Sequence, residues 1–539
     1  MPIRRPWTLV TVCLGTFMLL VDISIVYVAL PDMAKSLGAS FSDLQWTVDA
    51  YAVALAALLL NAGSLGDLLG HRRVYLAGIT VFSTASFLCG FASDPTFLDA
   101  SRALEGIGGA AMFATSLALL GNAYHGKARA GALAAWGATA GIAVALGPLI
   151  GGALTTYASW SWIFYVNVPI GALTFALVLW KVDETERTRA ARPDWVGFAM
   201  LSGGLVALVY GLIRGNPDGW TSASIVAAFT VGVALLAGFF AVEARVDHPM
   251  LELRLLRRPA VVGASLAAIA LSASLFSMLL YITLYLQQIL GYSAMQTGLR
   301  FLAITGLVLV GAPISGRLSE RVPLRILLSV GLAVVAVGLA LMTHVDVRDD
   351  WTALLAGFIV AGLGAGISNP AIASAAIRTV APDQIGVGSG INNTARQIGI
   401  AAGIAGLGAV FQHRVQDAFI SHLHTTAPQL DSKSHALADQ ITAGGLQSAT
   451  HHGAAHMQLL ITGAAHAAFI DGFTEILWIA VAVAAFGVVA ALALIHGRDL
   501  ISTEPATDTQ SNRSRSHPAP AAGGRPGPVT AQGRQHTRG

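Results

Sequence analysis

The sequence predicts an all-α polytopic membrane protein. Three observations carry that prediction: an apolar composition, fourteen apolar windows of spanning length, and basic residues concentrated in alternate connections. Of the 539 residues, 55% are hydrophobic and 11% charged, with a mean hydropathy of +0.66. Soluble domains carry about 25% charged residues. The two cysteines, Cys13 and Cys89, fall inside apolar runs and indicate buried small residues rather than a disulfide framework. The opening MPIRRPW and the apolar residues up to Leu30 form too long a core for a signal peptide, and no small-residue cleavage site follows. They read as an uncleaved first span.

A helix needs about 20 residues to cross about 30 Å of hydrocarbon. By that measure the spans are 7–30, 46–65, 75–92, 97–121, 131–155, 162–181, 195–214, 222–242, 260–286, 296–315, 324–343, 352–376, 387–411 and 470–496. With the amino terminus inside, 24 of the 32 basic residues fall in inside segments. Five (Lys35, Arg214, Arg348, Arg414 and Lys433) fall outside, and three lie within spans. This positive-inside asymmetry predicts that both termini are cytoplasmic.

An internal repeat supports the span count. GSLGDLLGHRR, Gly63 to Arg73, follows the second span, and GRLSERVPLR, Gly316 to Arg325, follows the tenth. Aligning Gly63 with Gly316 matches Leu65 to Leu318, Asp67 to Glu320 and Arg72 to Arg325. The chain then divides into a six-helix bundle over 7–181, two linker helices over 195–242 and a second six-helix bundle over 260–496. The second bundle carries an external loop at 412–468, and a tail over 502–539 has a disordered composition. Repeats of this kind build many secondary transporters.

The fifth span contains ALGPLIGGAL, Ala145 to Leu154. Gly137 and Gly141, and then Gly147 and Gly151, are each four apart, so each pair shares a helix face that a neighbouring backbone can approach. Pro148 removes an amide donor and bends the helix. With Gly152, these residues predict a tight, kinked seam. Its alternative reading is ordinary glycine-mediated packing.

Charged residues inside spans mark a second set of candidates: Asp22, Arg102, Glu105, Arg300 and Arg396. Each costs about 2.5–3.5 kcal/mol at a helix centre and needs a partner or a wet cavity. Arg102 and Glu105, three apart, are placed to pair on one helix face. Asp22 has no partner on its own helix. Burial disfavours the charged form of a carboxylate, so Asp22 is the leading candidate for reversible protonation, with Glu105 as the alternative carrier or a relay. Asp49, near the outer end of the second span, reads equally as a solvated rim residue or a functional one.

Other features read blandly. The 412–468 loop holds eight of the fifteen histidines, among them His422, His424, His451, His452, His456 and His466. His452 and His456 are four apart but have no carboxylate or cysteine beside them, so a solvated, partly helical cap is expected there and no metal. HPMLELRLLRRPA, His248 to Ala260, reads as an interfacial linker. There is no phosphate-binding glycine-lysine loop and no clustered nucleophile, which argues against an enzyme or a nucleotide-driven pump. No cofactor or nucleic-acid partner is implied.

Six stretches, in order, resemble the major facilitator superfamily in its fourteen-span drug:proton antiporter branch. VDISIVYVALP, Val21 to Pro31, is similar to the first-span motif, with Tyr27 in place of the usual asparagine. Gly63 to Arg73 resembles the loop motif, with Leu68 and His71 where basic residues are usual. Arg102, Gly106 and Gly109 fit the fourth-span motif, with Glu105 where glutamine is common. Gly141 with GPLIGG resembles the antiporter signature. SWIFYVNVPIG, Ser161 to Gly171, resembles the sixth-span opening, and NNTARQIG, Asn392 to Gly399, the second-half motif.

The resemblance implies a proton-driven exporter of amphipathic drugs or antibiotics, working by alternating access in the cytoplasmic membrane as a monomer. Its partners would be a small-molecule substrate, protons and the bilayer. It is similar to the self-resistance pumps of antibiotic-producing actinomycetes. By the same resemblance Gly141, Gly147, Pro148, Gly151 and Gly152 would gate, as would the turn of Gly63, Asp67, Arg72 and Arg73. Asn393, Arg396 and Gln397 would mark the second half, and Trp46, Tyr51, Phe276, Tyr281 and Tyr285 would wall the cavity. A proton-coupled importer and a non-transporting membrane sensor remain the alternatives.

Overall fold

A computed structural model of the chain describes residues 5–184, 194–246, 249, 251, 253–319, 321–380, 385–426, 437–438 and 455–496. Among them, fourteen helices are long and apolar enough to cross a bilayer. In order they are α1 Arg5–Leu37, α2 Phe41–Leu69, α3 His71–Gly90, α4 Pro95–Ala123 and α5 Gly126–Tyr157. Then come α6 Trp162–Lys181, α7 Trp195–Asp218, α8 Ala223–Glu243 and α9 Pro259–Ile289. The last five are α10 Ala294–Leu318, α11 Leu324–His344, α12 Thr352–Arg378, α13 Ile385–Thr426 and α14 Ala455–Leu494. No strand occurs among the described residues.

Local chemistry sets several ends. Ser40 and Asp43 form a capping box at the start of α2, and Ser293 and Gln296 form the same device at the start of α10. These starts stand in the same alignment as Gly63 and Gly316. Gly70, at a φ of 101°, turns α2 straight into α3, a backbone conformation open to glycine and strained for other residues. Exposed Trp7, Trp180 and Trp195 ring the end where α1 begins, and Tyr157, Trp162 and Trp220 ring the end where it finishes. Aromatic belts of this kind mark the two membrane interfaces. These ends are called the Arg5 end and the Leu37 end below.

Packing displays the repeat more clearly than the residues do. In the first half α1 packs on α5 and α6, α2 on α4, and α3 on α4 and α6. Raising each number by eight gives the second half: α9 on α13 and α14, α10 on α12, and α11 on α12 and α14. The contacts between halves obey the same rule, since α5 meets α10 and α13 meets α2. The fold is thus two six-helix bundles related by an internal repeat, with α7 and α8 as an additional pair. Of that pair, α7 lies against both α2 and α13.

The predicted external loop is shorter than expected. α13 continues to Thr426 and α14 starts at Ala455. With 42 residues, α13 measures about 63 Å, twice the hydrocarbon thickness. The polar sequence after residue 411 therefore extends a helix beyond the membrane, where the apolar pattern that marks spans no longer applies. His422 joins Asp471 at 2.9 Å across the two extensions. Residues 427–436 and 439–454, with His451 and His452, lie outside the described residues, as does the 502–539 tail.

The α5 glycines face two different neighbours. A Cβ on Gly147 would overlap Ser24 Oγ, and one on Gly151 would stand 2.7 Å from the Ile25 carbonyl. Both neighbours belong to α1, so this glycine pair locks α5 inside its own half. The face toward the other half is made by Gly141, which meets Leu309; by Pro148, whose carbonyl abuts Gly298; and by Gly152, where a Cβ would stand 2.5 Å from the Ala294 carbonyl. Thr305 Oγ1 donates to the Ala145 carbonyl at 3.1 Å, and the Met295 amide donates to Thr156 Oγ1 at 2.9 Å. Gly131 and Gly137 on α5 and Gly316 on α10 face open space toward the Arg5 end. The halves therefore close at the Leu37 end and part at the Arg5 end between α5 and α10.

Gly147→Leu clashes inside the first half and should lower stability by about 1–3 kcal/mol, read as a fall in the thermal unfolding temperature. Gly152→Leu clashes with α10 instead. Spin labels at positions 157 and 292 should then move apart, with a smaller loss of stability. Equal effects of both variants on both readouts would contradict this division of α5 into two faces.

Candidate functional site

Among the described residues of the first half, Arg102 on α4 is the most buried cation, with 1% of its surface exposed. Its Nη1 donates to Asp22 Oδ2 of α1 at 2.7 Å and to Glu105 Oε2 at 2.6 Å. Nε donates to the Thr47 carbonyl of α2 at 3.1 Å. The guanidinium lies 4.4 Å from the Tyr51 ring centroid and 5.7 Å from that of Phe164. Gly106 and Gly109 on α4 face Tyr51, and a Cβ on Gly106 would press on the Tyr51 carbonyl. Their small size lets α2 approach closely enough to bring that ring to the cation.

The expected Arg102–Glu105 pair is therefore present, and Asp22 finds its partners on other helices. Asn167 Nδ2 on α6 donates to Asp22 Oδ1 at 3.0 Å and to Ser86 Oγ on α3 at 2.9 Å. Ser86 Oγ donates to the Phe164 carbonyl at 3.1 Å. Cys89 Sγ lies 3.6 Å from Glu105 Oε2 and donates to it. Asn167, Ser86 and Cys89 escaped the sequence reading. Asn167 stood in plain view inside SWIFYVNVPIG, an amide in an apolar stretch, whereas nothing in the sequence linked Ser86 or Cys89 to the cluster. With both carboxylates ionised, the cluster carries one net negative charge; one added proton neutralises it.

Asp49 is not a rim residue. It is fully buried, and neither carboxylate oxygen has a hydrogen-bond partner among the described residues. It lies one turn from Gln45, whose Nε2 donates to the Ile404 carbonyl of α13 at 2.9 Å. Tyr27 of α1 and Tyr281 of α9 are within electrostatic reach. Asp49 therefore sits where the two halves meet. Asp99, also missed, accepts from Thr47 Oγ1 at 2.9 Å, on the other side of the residue whose carbonyl binds Arg102.

The remaining candidates scatter. Asp67 stands 3.4 Å from His71, and a Cβ on Gly63 would meet nothing within 4 Å. Arg72 caps α6: its Nη2 donates to the Leu179 carbonyl at 2.7 Å and its Nε to the Val178 carbonyl at 3.3 Å. A cation at a helix C-terminus is favoured by the exposed carbonyl dipoles. Arg73 lies 3.5 Å from Glu184. Arg300 stacks 3.6 Å from the Tyr292 ring centroid, near the start of α10.

In the second half, Asn393 Nδ2 donates to the Ser389 carbonyl at 2.9 Å. Arg396 Nη2 donates to Asn369 Oδ1 at 2.6 Å, and Gln397 is largely buried. Tyr281 and Tyr285 do not wall a cavity in this conformation. Tyr281 packs with Phe41 and Phe411, and Tyr285 stacks on Phe473 at 5.3 Å. They form an aromatic plug toward the Leu37 end, among α2, α9, α13 and α14.

Arg102→Met leaves two buried carboxylates without a cation and should cost about 3–5 kcal/mol, seen as lost thermal stability and low membrane yield. Combining it with Asp22→Asn and Glu105→Gln removes the stranded charge and should restore most of the loss. Wild-type stability in Arg102→Met alone would show that the cluster does not organise the half.

The sequence profile of the Major Facilitator Superfamily matches residues 12–404. Multidrug resistance protein Stp of Mycobacterium tuberculosis is 34% identical, over 80% of this chain and 81% of its own length. Puromycin resistance protein pur8 of Streptomyces alboniger is 35% identical, over 80% and 87%. The tetracenomycin C resistance and export protein of Streptomyces glaucescens is 31% identical, over 77% and 78%. Among solved structures, a bacterial homologue of the human lysosomal transporter Spinster, in an inward-facing and unoccupied conformation, superposes with a TM-score of 0.62. That match has 14% identity and covers 94% of this chain and 100% of the other, a likeness of fold alone. Motifs, helix packing and relatives agree that the chain belongs to the major facilitator superfamily.

Proposed function

We propose that this chain exports amphipathic drugs or antibiotics across the cytoplasmic membrane in exchange for protons, by alternating access between its two six-helix halves. The names of its relatives support the substrate class, since several are resistance or export proteins for antibiotics. The distribution of basic residues supports cytoplasmic termini. On that orientation the Arg5 end faces the cytoplasm, and the parted α5 and α10 admit substrate from inside. The reading requires no cofactor and no second copy of the chain.

Asp49 is the observation that carries the proton coupling. Burial of a carboxyl with both oxygens unsatisfied favours the neutral acid over the carboxylate, and on this reading Asp49 is a carrier of the exchanged proton. Its place at the meeting of α1, α2, α9 and α13 makes the charge it acquires on deprotonation depend on how the halves sit. Asp22 and Glu105, sharing one guanidinium, offer a second proton site inside the first half. A proton on Asp22 weakens the contact with Arg102 that ties α1 to α4, whereas a proton on Glu105 weakens a contact within α4. Drug binding and proton binding then act on the same helices, and such coupling must be reciprocal.

Inverted membrane vesicles with an acid interior should accumulate ethidium, and collapsing the pH gradient should release it. Asp49→Asn should still bind ethidium while losing gradient-driven uptake by at least about tenfold. Asp22→Asn should keep binding but lose the second site's share of drug-induced proton release in proteoliposomes, with Glu105→Gln less impaired. A sensor would give no uptake, and an importer would give a gradient of the opposite sense. Normal uptake by Asp49→Asn would remove that residue from the coupling.

A further inference from the structure

Arg396 lies outside the Asp22–Arg102–Glu105 cluster, yet it is as out of place in a membrane as Arg102. It is the twelfth residue of α13, about 16 Å along the helix from Ile385, and it sits at the junction of α9, α12 and α13. The helix-plus-eight rule relates this junction to that of α1, α4 and α5. There the resemblance ends. Arg102 has two carboxylates within 2.7 Å. Among the described residues no charged group acts on Arg396, whose one partner is the neutral Asn369 at 2.6 Å.

The groups around it have donors to spare. Asn392 lies one turn earlier on the same face of α13, is 5% exposed, and has no partner for its Nδ2. One turn in the other direction is Gly399, where a Cβ would stand 3.0 Å from Ser272 Cβ of α9. Ser272 is 1% exposed and its Oγ is also without a partner. It opens a π-helical stretch, Ser272–Phe276, an irregularity frequent at functional sites. A guanidinium offers five N–H donors, most of them unused here. Arg396 itself is not fully closed over by its neighbours.

We propose that Arg396, Asn392 and Ser272 form an anion subsite of the transport pathway, which takes a carboxylate, phenolate or other oxyanion carried by the substrate. The first half supplies its own counter-ions for Arg102; the second leaves that place to the cargo. An oxyanion here accepts from Arg396, while Asn392 and Ser272, one turn to either side, are donors for further oxygens of the ligand, and the site lies too deep for a headgroup of a flat bilayer to reach without leaving its plane. The proposal rests on the transporter reading and narrows its substrates to amphipaths that include acidic ones.

The test uses the full chain in phosphatidylcholine nanodiscs, with carboxyfluorescein as the anionic probe and ethidium as the cationic one. Wild type should bind both. Arg396→Gln should weaken carboxyfluorescein at least about tenfold, and Arg396→Lys by less, with ethidium little changed. Asn392→Leu provides an independent variant should Arg396→Gln fold poorly, and should show the same selectivity. Absence of carboxyfluorescein binding to wild type, or equal losses for both probes, overturns the proposal. Displacement of the probe by added phosphatidylglycerol would assign the site to lipid and overturn it too. Ethidium export in vesicles separates the two levels: its presence without an Arg396-dependent anion site rejects only the subsite, and its absence rejects the transporter reading as well.

Discussion

A single guanidinium organises the first half. Arg102 lies where water is excluded, and a lone cation there would be costly. Two carboxylates, a backbone carbonyl and an aromatic face surround it, drawn from α1, α2 and its own α4, while Asn167 and Ser86 extend the network to α6 and α3. Helices that share no hydrophobic driving force against lipid are thereby given a specific arrangement. The small faces of Gly106 against α2 and of Gly147 and Gly151 against α1 let that arrangement pack closely.

A half held this firmly moves as a body, which concentrates change at its borders. The border between α5 and α10 is closed by backbone approach at Gly152 and Gly298 and open at Gly131 and Gly137. The border between α2 and α13 is different, because α7 lies over it. Asn61 of α2 donates to the Asp194 carbonyl just before α7, and Asn216 near the other end of α7 donates to the Ala409 carbonyl of α13. The additional helix is thus tied to one half at each of its ends. It lies against both helices of this border, a bracing that the α5–α10 border lacks among the described residues.

Much of this was legible in the sequence because membrane burial has a plain signature. Apolar length gave the spans, basic asymmetry their alternation, and the offset between Gly63 and Gly316 the repeat. Asp22, Arg102 and Glu105 stood out as charges in apolar runs. What was not legible depends on pairing between distant segments. The side to which each α5 glycine faces, the meeting of Asp22 with Arg102 across eighty residues, and the burial of Asp49 near a helix end are tertiary facts. The 412–468 segment was expected to be partly helical, but how far α13 runs was not legible, because its residues beyond 411 are polar and helices outside the bilayer follow no hydropathy rule.

The central claim is that a buried carboxylic acid at the meeting of the two halves gives up its proton when drug binds. Infrared difference spectroscopy of the purified protein, recorded as ethidium is added, reads this directly through the carbonyl stretch of protonated carboxylic acids. Wild type should lose such a band and gain a carboxylate band, and Asp49→Asn should lack the change while still binding the dye. An unchanged carboxylic-acid band on drug binding in wild type, or an identical difference spectrum in Asp49→Asn, would contradict it.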